Sequence, residues 1–528
     1  MSTLRTVLLI STLLPLAACG ADDVASPGEG VIVAPPAQPG TPTSPPPPPP
    51  PSSGPAADCP TGFADQGVIG NHRACRVPNA IVTDLVVPAR AGTAYMLAGR
   101  VDVGVDVGGA ATPLSTGRSA ILTIQPGAIL FGNGGDADND YLVVNRGSRI
   151  NAVGTATKPI IFTSRENVAG TATDTSQGQW GGIILAGRAP ISNCNTTVDG
   201  GTAGCQNVVE GTGNALYGGE LAGDSSGNFQ YVQIRYSGVA ISTNNELQGL
   251  TLAGTGSGTT VDHIQVHNSA DDGIEVFGGR NNARYLIMTG TDDDALDTDV
   301  GHQGAFQFVL AVQRAGNGSS DPRGFEIDSN GSEDALPRTD FRVANYTLIQ
   351  RLTASTPANA AAIHLRGGTD ATLVNGVVVH SGNNCLNIDG AVSGSTRTTV
   401  RPADAALADR GPPQFNSNYF ACQAAVTDDG NVTAAEIQAV LSGGASSGNQ
   451  LAGTAANAVT GTFITGNTGV TPFNASTINF AGQGFLVNTS YIGAVRDAND
   501  TWFRGWSCDS TIASFGSSAT CTALPNGA

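Results

Sequence analysis

The apolar positions of this chain fall in short runs divided by Gly, Asn and Asp, as in AILTIQPGAILFG (120–132), DYLVVNRGSRINAVG (140–154) and KPIIFTS (158–164). Runs this short and this rich in β-branched residues predict strands rather than helices. Their register says more. Ser-Ala-Asp-Asp-Gly-Ile-Glu-Val at 269–276 returns as Thr-Asp-Asp-Asp-Ala-Leu-Asp-Thr at 291–298, an offset of 22 residues. The same offset relates Val261 to Ala283, Ala283 to Ala305, and IHLRGG (363–368) to CLNIDG (385–390). A repeat of that length with two or three short strands predicts an all-β fold, a parallel β-helix solenoid of about 22-residue coils in which each rung pairs with its neighbours. A longer insert between Phe306 and Phe325 interrupts the repeat and is expected to form one wall of a groove.

The pattern changes at both ends. MSTLRTVLLISTLLPLAAC has one Arg, an apolar run from Val7 to Ala18 and a cysteine after small residues, which reads as a signal peptide over 1–18, too short for a permanent span. Leu16-Ala17-Ala18-Cys19 resembles the bacterial lipobox, and the resemblance implies that Cys19 is lipidated and becomes the first mature residue. Gly20, being other than Asp, implies the outer membrane. Acyl chains would hold the protein on a membrane at about 0.8 kcal/mol per buried methylene. Residues 19–58 are a Pro-rich linker with almost nothing to bury, and its residues 35–55 in polyproline II could hold the folded part roughly 60 Å from the lipid. Residues 59–119 are expected to cap the solenoid, 120–420 to form it, and 421–528 to supply the last coils and a small helix-containing cap. In that last segment NVTAAEIQAVLSGG (431–444) has a Thr N-cap, a Glu three residues later and a Gly stop, which predicts a helix. With Trp502 and Trp506 beyond it, the tail is expected to cover the last exposed rung by packing, with sugar stacking by the two rings as the alternative.

Composition narrows the function. Seventy Gly and 13% charged residues in 528 disfavour stacked helical domains, and 5% aromatic residues leave the core to Val, Ile, Leu and Ala, which suit a narrow stacked interior. Forty-three acids against 25 Lys and Arg give a net charge of −18 and argue against a nucleic-acid partner, whose phosphates need clustered cations. Eight cysteines follow Cys19: Cys59, Cys75, Cys194, Cys205, Cys385, Cys422, Cys508 and Cys521. An even set in an exported chain reads as disulfides, and pairing sequential neighbours gives the shortest loops, although spacing leaves the connectivity open. No CxxC spacing exists, which disfavours zinc.

The strongest chemical signal is SADDGIEVFGGRNNARYLIMTGTDDDALDTDVGHQG (269–304), with eight carboxylates answered by Arg280 and Arg284. A 22-residue coil sets Asp271 over Asp293, Asp272 over Asp294 and Glu275 over Asp297, about 4.8 Å apart. If Glu326 and Asp328 take the next turn, they continue the column past Asp297 and Asp299. Two like charges at that spacing repel by roughly 0.8 kcal/mol in water and about 3 at an effective dielectric of 20. Three outcomes relieve this: a calcium ion, which takes six to eight oxygen ligands; raised pKa values; or open water. The metal set expected for calcium is Asp271, Asp272, Glu275, Asp293, Asp294, Asp297, Asp299, Glu326 and Asp328.

ADDGIEV followed by TDDDALD is similar in composition and spacing to the first two parts of the Asn-Thr-Asp, Asp-Asp and Gly-His-Gly series of β-helical polygalacturonases. The third part is missing, since one coil after Asp293 falls in RAGNG (314–318) and His302 comes too early. Elimination of the pectate-lyase kind would need calcium plus a basic residue, for which Arg314, Arg323 and Arg366 are available. His263 and His267 are about 13 Å apart along a strand and do not share a metal. Gly-x-Ser-x-Gly, phosphate-loop and His-Glu-x-x-His motifs are absent.

By QWGGIILAGRAPI (179–191), NELQGLTLAGTGSGTTVDHIQVHNSADDGIEVFGG (245–279) and YIGAVRDANDTWFRGW (491–506), the chain resembles a family of exported bacterial β-helix lipoproteins over most of residues 120–510. The resemblance implies use of the type II secretion machinery, a place at the outer membrane, the cell surface or the medium, and a link to phosphate scavenging and alkaline phosphatase activity. It identifies no catalytic residue. The leading expectation is therefore a lipid-anchored protein that binds an extracellular polysaccharide or secreted protein, with calcium in the 271–328 stripe and without catalysis. The alternative is a lyase or hydrolase acting on acidic polysaccharide. An enzyme is expected to place Arg or Lys beside the acidic stripe, and a simple ion site is not.

Overall fold

Alternation within each run decides which side chains enter the core. In strand Ile274–Phe277, Ile274 and Val276 join the central apolar cluster, whereas Phe277 packs in a separate cluster outside it. Repeated along the chain, this pattern builds a parallel β-helix, seen in a computed structural model that describes residues 54–134, 139–242, 245–315, 322–329, 333–351, 361–390, 397–428, 431–517 and 519–525. The expected signal segment, Cys19 and the linker as far as residue 53 lie outside the described residues.

One face is a ten-stranded, all-parallel sheet that runs from Ala80–Ile81 through Arg100–Val103, Tyr141–Val144, Gly182–Ala186, Leu250–Ala253, Ile274–Phe277, Leu296–Asp299, Phe325–Ile327 and Ile363–Leu365 to Leu386–Ile388. The rest of each coil lies in a larger, bent sheet. The 22-residue offset holds where Glu275 pairs with Asp297 and Val261 with Ala283. Elsewhere it needs correction: Ala283 pairs with Phe306 rather than Ala305, and Ile363 with Leu386 rather than Cys385. A one-residue slip turns every side chain to the opposite face, so the turns absorb an extra residue and keep Ala283, Phe306, Ile363 and Leu386 in the core.

The parallel stack begins earlier than expected. His72–Arg76 pairs antiparallel with Ala64–Ile69 but already parallel with Thr93–Leu97, so coils start inside residues 59–119. At the far end helix Ala434–Ser442 closes the core with Ile437 and Leu441, and its capping box joins Thr433 and Glu436 as the sequence predicts. Disulfides join Cys59 to Cys75, Cys194 to Cys205, Cys385 to Cys422 and Cys508 to Cys521, the sequential pairing.

The tail is the main correction. Beyond the helix it does not stop at the last rung; it runs back along the flank of the solenoid to the first one. Phe473 is held by Asn375, Val487 by Gln307, Tyr491 by Asn345, Cys508 by Gln265, and the Cys521 carbonyl by Arg235, while the Pro525 carbonyl lies 3.4 Å from His72 Nε2. Several of these contacts imitate a strand pair: Gln265 Nε2 donates to the Cys508 carbonyl at 3.1 Å, and the Cys508 N–H returns to Gln265 Oε1 at 2.8 Å. The tail covers a column of residues with φ of 51° to 59° at which the large sheet bends, Tyr231, His263, Tyr285, Phe308, Asn345 and Asn375. The rings of the first four stack at 4.3, 4.4 and 4.8 Å. Trp506 packs edge-on against His263, and Trp502 lies beside Tyr285, so both indoles serve packing.

These amide clips make a prediction. Gln265→Leu leaves the Cys508 N–H and carbonyl buried without partners, at a cost of about 2 kcal/mol. Chemical denaturation of the variant should show that loss, and an unchanged midpoint would remove the clips from the account.

Candidate functional site

The outward positions of the ten-stranded sheet form one column: Thr251, Glu275, Asp297, Glu326, His364 and Asn387, each paired with the next through its backbone. A parallel column of Phe277, Asp299, Asp328, Arg366 and Asp389 lies two residues along. On the other side a staircase descends, in which Asp272 Oδ1 accepts from the Asp294 N–H at 2.8 Å and Asp294 Oδ1 from the Arg323 N–H at 2.6 Å. The nine expected carboxylates therefore share one face. Two groups bring carboxylate oxygens within 4.8 Å of one another: Asp271, Asp272 and Asp293, and Asp272, Glu275 and Asp297.

The open-water outcome fails, because Asp272, Glu275, Asp294 and Asp299 are buried. Much of the cover comes from residues 187–222, an insert the sequence reading did not single out, stapled by Cys194–Cys205. Its Tyr217 ring stacks on Phe277 at 5.7 Å, and its Glu210 shares the Gln248 amide with Asp271. Sequence reasoning missed Glu210 and Tyr217, which no repeat marks.

Burial, then the charges of Asp293 and Glu210, push Asp271 up to about 8. Burial raises Asp272, Glu275, Asp294, Asp297 and Asp299 well above the usual carboxylate range, and their neighbours add to it. Glu275 Oε2, Asp297 Oδ1 and Asp299 Oδ1 are buried with no hydrogen-bond donor among the described residues. Such oxygens suit a hard cation, which needs several oxygen ligands and no donors. Glu326 breaks the pattern. Burial again acts upward, but the His364 hydrogen bond and the charges of Arg366 and Arg323 hold it well below its ordinary value.

Those three residues end the acidic stripe. Arg366 reaches Glu326 at 3.0 Å and Asp328 at 2.8 Å, Arg323 reaches Glu326 at 3.6 Å, and His364 lies 3.4 Å from Glu326 and 3.0 Å from Asp389. Arg314 instead binds the Gly290 carbonyl. Arg280 binds the carbonyls of Gly279 and Gly301, and Arg284 pairs with Asp262, so neither arginine of the acidic segment answers its charge there. His267 is buried against Thr289, and His263 sits in the aromatic stack, outside both carboxylate groups.

A family profile described as a pectate-lyase like beta helix domain matches residues 110–459. The chain belongs to that family. Membership in the pectate-lyase-like β-helix family agrees with the parallel rungs and the outward column. No curated protein matches the sequence. Among solved structures, the crystal structure of pectate lyase Pel9A is similar at 13% identity over 80% of this chain and 85% of that one, with a TM-score of 0.28, too low to carry an argument.

The raised carboxylates give a pH dependence. A carboxylate whose folded pKa is raised binds protons that the unfolded chain has already released, so stability present at low pH is lost as pH rises through the folded value. His267 and His302, both held down to about 3 by burial, act only below their ordinary value of 6.5, and Glu326 only below 4.5. Between pH 7 and 9, in chelator, the melting temperature should therefore fall, with Asp271, at about 8, titrating inside that window. Asp272→Asn, which keeps the acceptor for the Asp294 N–H, should flatten the fall. A flat profile in the parent protein would contradict the burial of the stripe.

Proposed function

We propose that this protein cleaves an acidic polysaccharide at the carboxylate column, with calcium held by Asp272, Glu275 and Asp297. The observation that carries the reading is Arg366. A site that only binds an ion has no use for a guanidinium ion-paired to its last two carboxylates, and with about two fifths of its side chain exposed Arg366 is the part of the column that substrate meets first. The expectation of binding without catalysis gives way on this point, and family membership supports the same choice.

Calcium bound there would neutralise the cluster and hold a uronate carboxylate of the substrate. Arg366, anchored by Glu326 and Asp328, offers its remaining N–H groups to the same kind of carboxylate. It is a poor proton acceptor: burial acts to lower its pKa, but Glu326, Asp328 and Asp297 together raise it. Proton transfer falls instead to the His364 imidazole at the mouth of the column, which lies 3.4 Å from Glu326 and 3.0 Å from Asp389, while Glu326, pinned in the charged form by Arg366 and Arg323, orients it. Cover by the 187–222 insert keeps water from the lower rungs and strengthens each of these interactions.

The proposal includes an extracytoplasmic location. Four disulfides support it, since such bonds persist in oxidising compartments. Lipidation of Cys19 and delivery by the type II machinery to the outer membrane surface or the medium complete the reading. The phosphate-scavenging role is not taken up, because a carboxylate face repels phosphate.

Two measurements test the proposal. Calcium at a hundredfold excess over its dissociation constant should add about 2.7 kcal/mol of stability, lost in an Asp293→Asn, Asp297→Asn variant. Incubation with polygalacturonate or alginate should release reducing ends in calcium and not in chelator. An unsaturated uronide product would indicate elimination, and its absence hydrolysis. Arg366→Gln should lower kcat/KM by about a hundredfold, roughly 2.7 kcal/mol of transition-state stabilisation. Intact polymer after incubation of the folded protein with calcium across neutral pH would sink the proposal.

A further inference from the structure

The first coils carry a second polar groove, which nothing above uses. Three adjoining cavities of about 350, 490 and 250 Å³ share walls: Arg76, Ala98 and Gly99 border the first two, and Asn139 joins the second to the third. Arg76 and Arg165 line the first cavity, both exposed, and neither has a carboxylate within ion-pair reach among the described residues. Side-chain amides orient them instead. Arg76 Nη2 donates to Asn79 Oδ1 at 2.7 Å, and Arg165 Nη1 donates to Asn133 Oδ1 at 2.7 Å. In a chain of net charge −18, two guanidinium groups left to one groove are a local reversal of sign.

The third cavity has the opposite need. Glu166 Oε2 and Gln179 Oε1, on residues that line it, are buried oxygens with no hydrogen-bond donor among the described residues. The neighbouring Asp140 carboxylate is already satisfied, accepting from the N–H groups of Gly99 and Gly134, each at 2.6 Å. Arg100, between the two ends, is committed to Asp102 at 2.7 Å. A ligand that fits the whole groove must bring negative charge to Arg76 and Arg165 and hydroxyl donors to Glu166 and Gln179. A phosphate or sulfate ion supplies only the first, and a neutral sugar only the second.

We infer that this groove is a binding subsite for a hydroxylated anion, a uronate-bearing glycan segment, separate from the carboxylate column. Tyr141, in its wall, pairs with Gly182, and three rung steps lead from that strand to Ile274–Phe277, roughly 14 Å along the solenoid axis. A polymer held at the first coils therefore has its next residues near the column. The choice of polymer rests on the proposed function; the groove itself does not.

The test is native affinity electrophoresis of the full chain carrying Asp297→Asn, so that polymer is not consumed, in gels containing polygalacturonate or neutral galactan and a chelator that removes cation bridging at the column. Polygalacturonate should retard the protein and galactan should not. Arg76→Gln with Arg165→Gln should weaken retardation about fivefold, the worth of two exposed ion pairs, with the melting temperature unchanged. Arg118→Gln with Lys158→Gln, an equal loss of charge at exposed positions outside the groove, should not. Retardation equal in both double variants, or none with polygalacturonate, would overturn the inference. Groove-dependent retention by a protein that cleaves no polymer would overturn the proposed function and leave the subsite standing.

Discussion

In-register parallel pairing is the constraint on which everything else in this molecule depends. Each rung sets its side chains over the equivalent side chains of the next, about 4.8 Å away, so any property of one rung is multiplied down the stack. For Ile274 over Leu296 and Leu252 over Val276 the multiplication fills the core with little penalty. For Tyr231, His263, Tyr285 and Phe308 it makes a column of rings. For Glu275 over Asp297 it makes repulsion, and burial deprives that repulsion of screening water. The same geometry that stabilises the solenoid thus creates its one chemically demanding face.

The flank shows how a solenoid open along its length is closed. Gln233, Gln265, Gln307, Asn345 and Asn375 stand on five coils of the large sheet and hand hydrogen bonds to the returning tail. Amides do this well because one side chain supplies both a donor and an acceptor, as a strand would. The tail ties late coils to early ones, and its Cys508–Cys521 bridge fixes the segment that meets Gln265 and Arg235.

How much of this was legible follows from where the repeat is regular. The fold, the first acidic pairs and the capped helix were readable because ADDGIEV and TDDDALD lie one undisturbed coil apart and because Thr433 and Glu436 make a local signal. Legibility ended where the coil length changed. Glu326 was still readable as the next step of the column from Asp297, but the insertion before Ile363 hid the fact that His364 follows it, and one extra residue displaced Ile363 from Cys385 to Leu386. The sequence suggests an end cap rather than a returning tail because the five amides that hold it lie on five different coils and have no pattern in sequence. Glu210 and Tyr217 come from an insert with no internal period, so only the packing on Phe277 reveals them.

The position of the arginines then explains why the stripe is tolerated at all. Carboxylates in the lower rungs are pushed up by burial and by one another more than Arg323 and Arg366 pull them down, so folding favours them protonated or sharing a metal. Glu326 sits at the top of the same stack with Arg323, Arg366 and His364 around it, and is stable as an anion. One column therefore holds acids pushed toward the neutral form beside an acid pinned in the charged form, one rung apart at Asp297 and Glu326. A structural role would be served equally by Thr or Asn at these positions, as Thr251 and Asn387 show at the two ends of the column. The carboxylates in between carry a cost that Thr or Asn would not, and the proposed site is built on that cost.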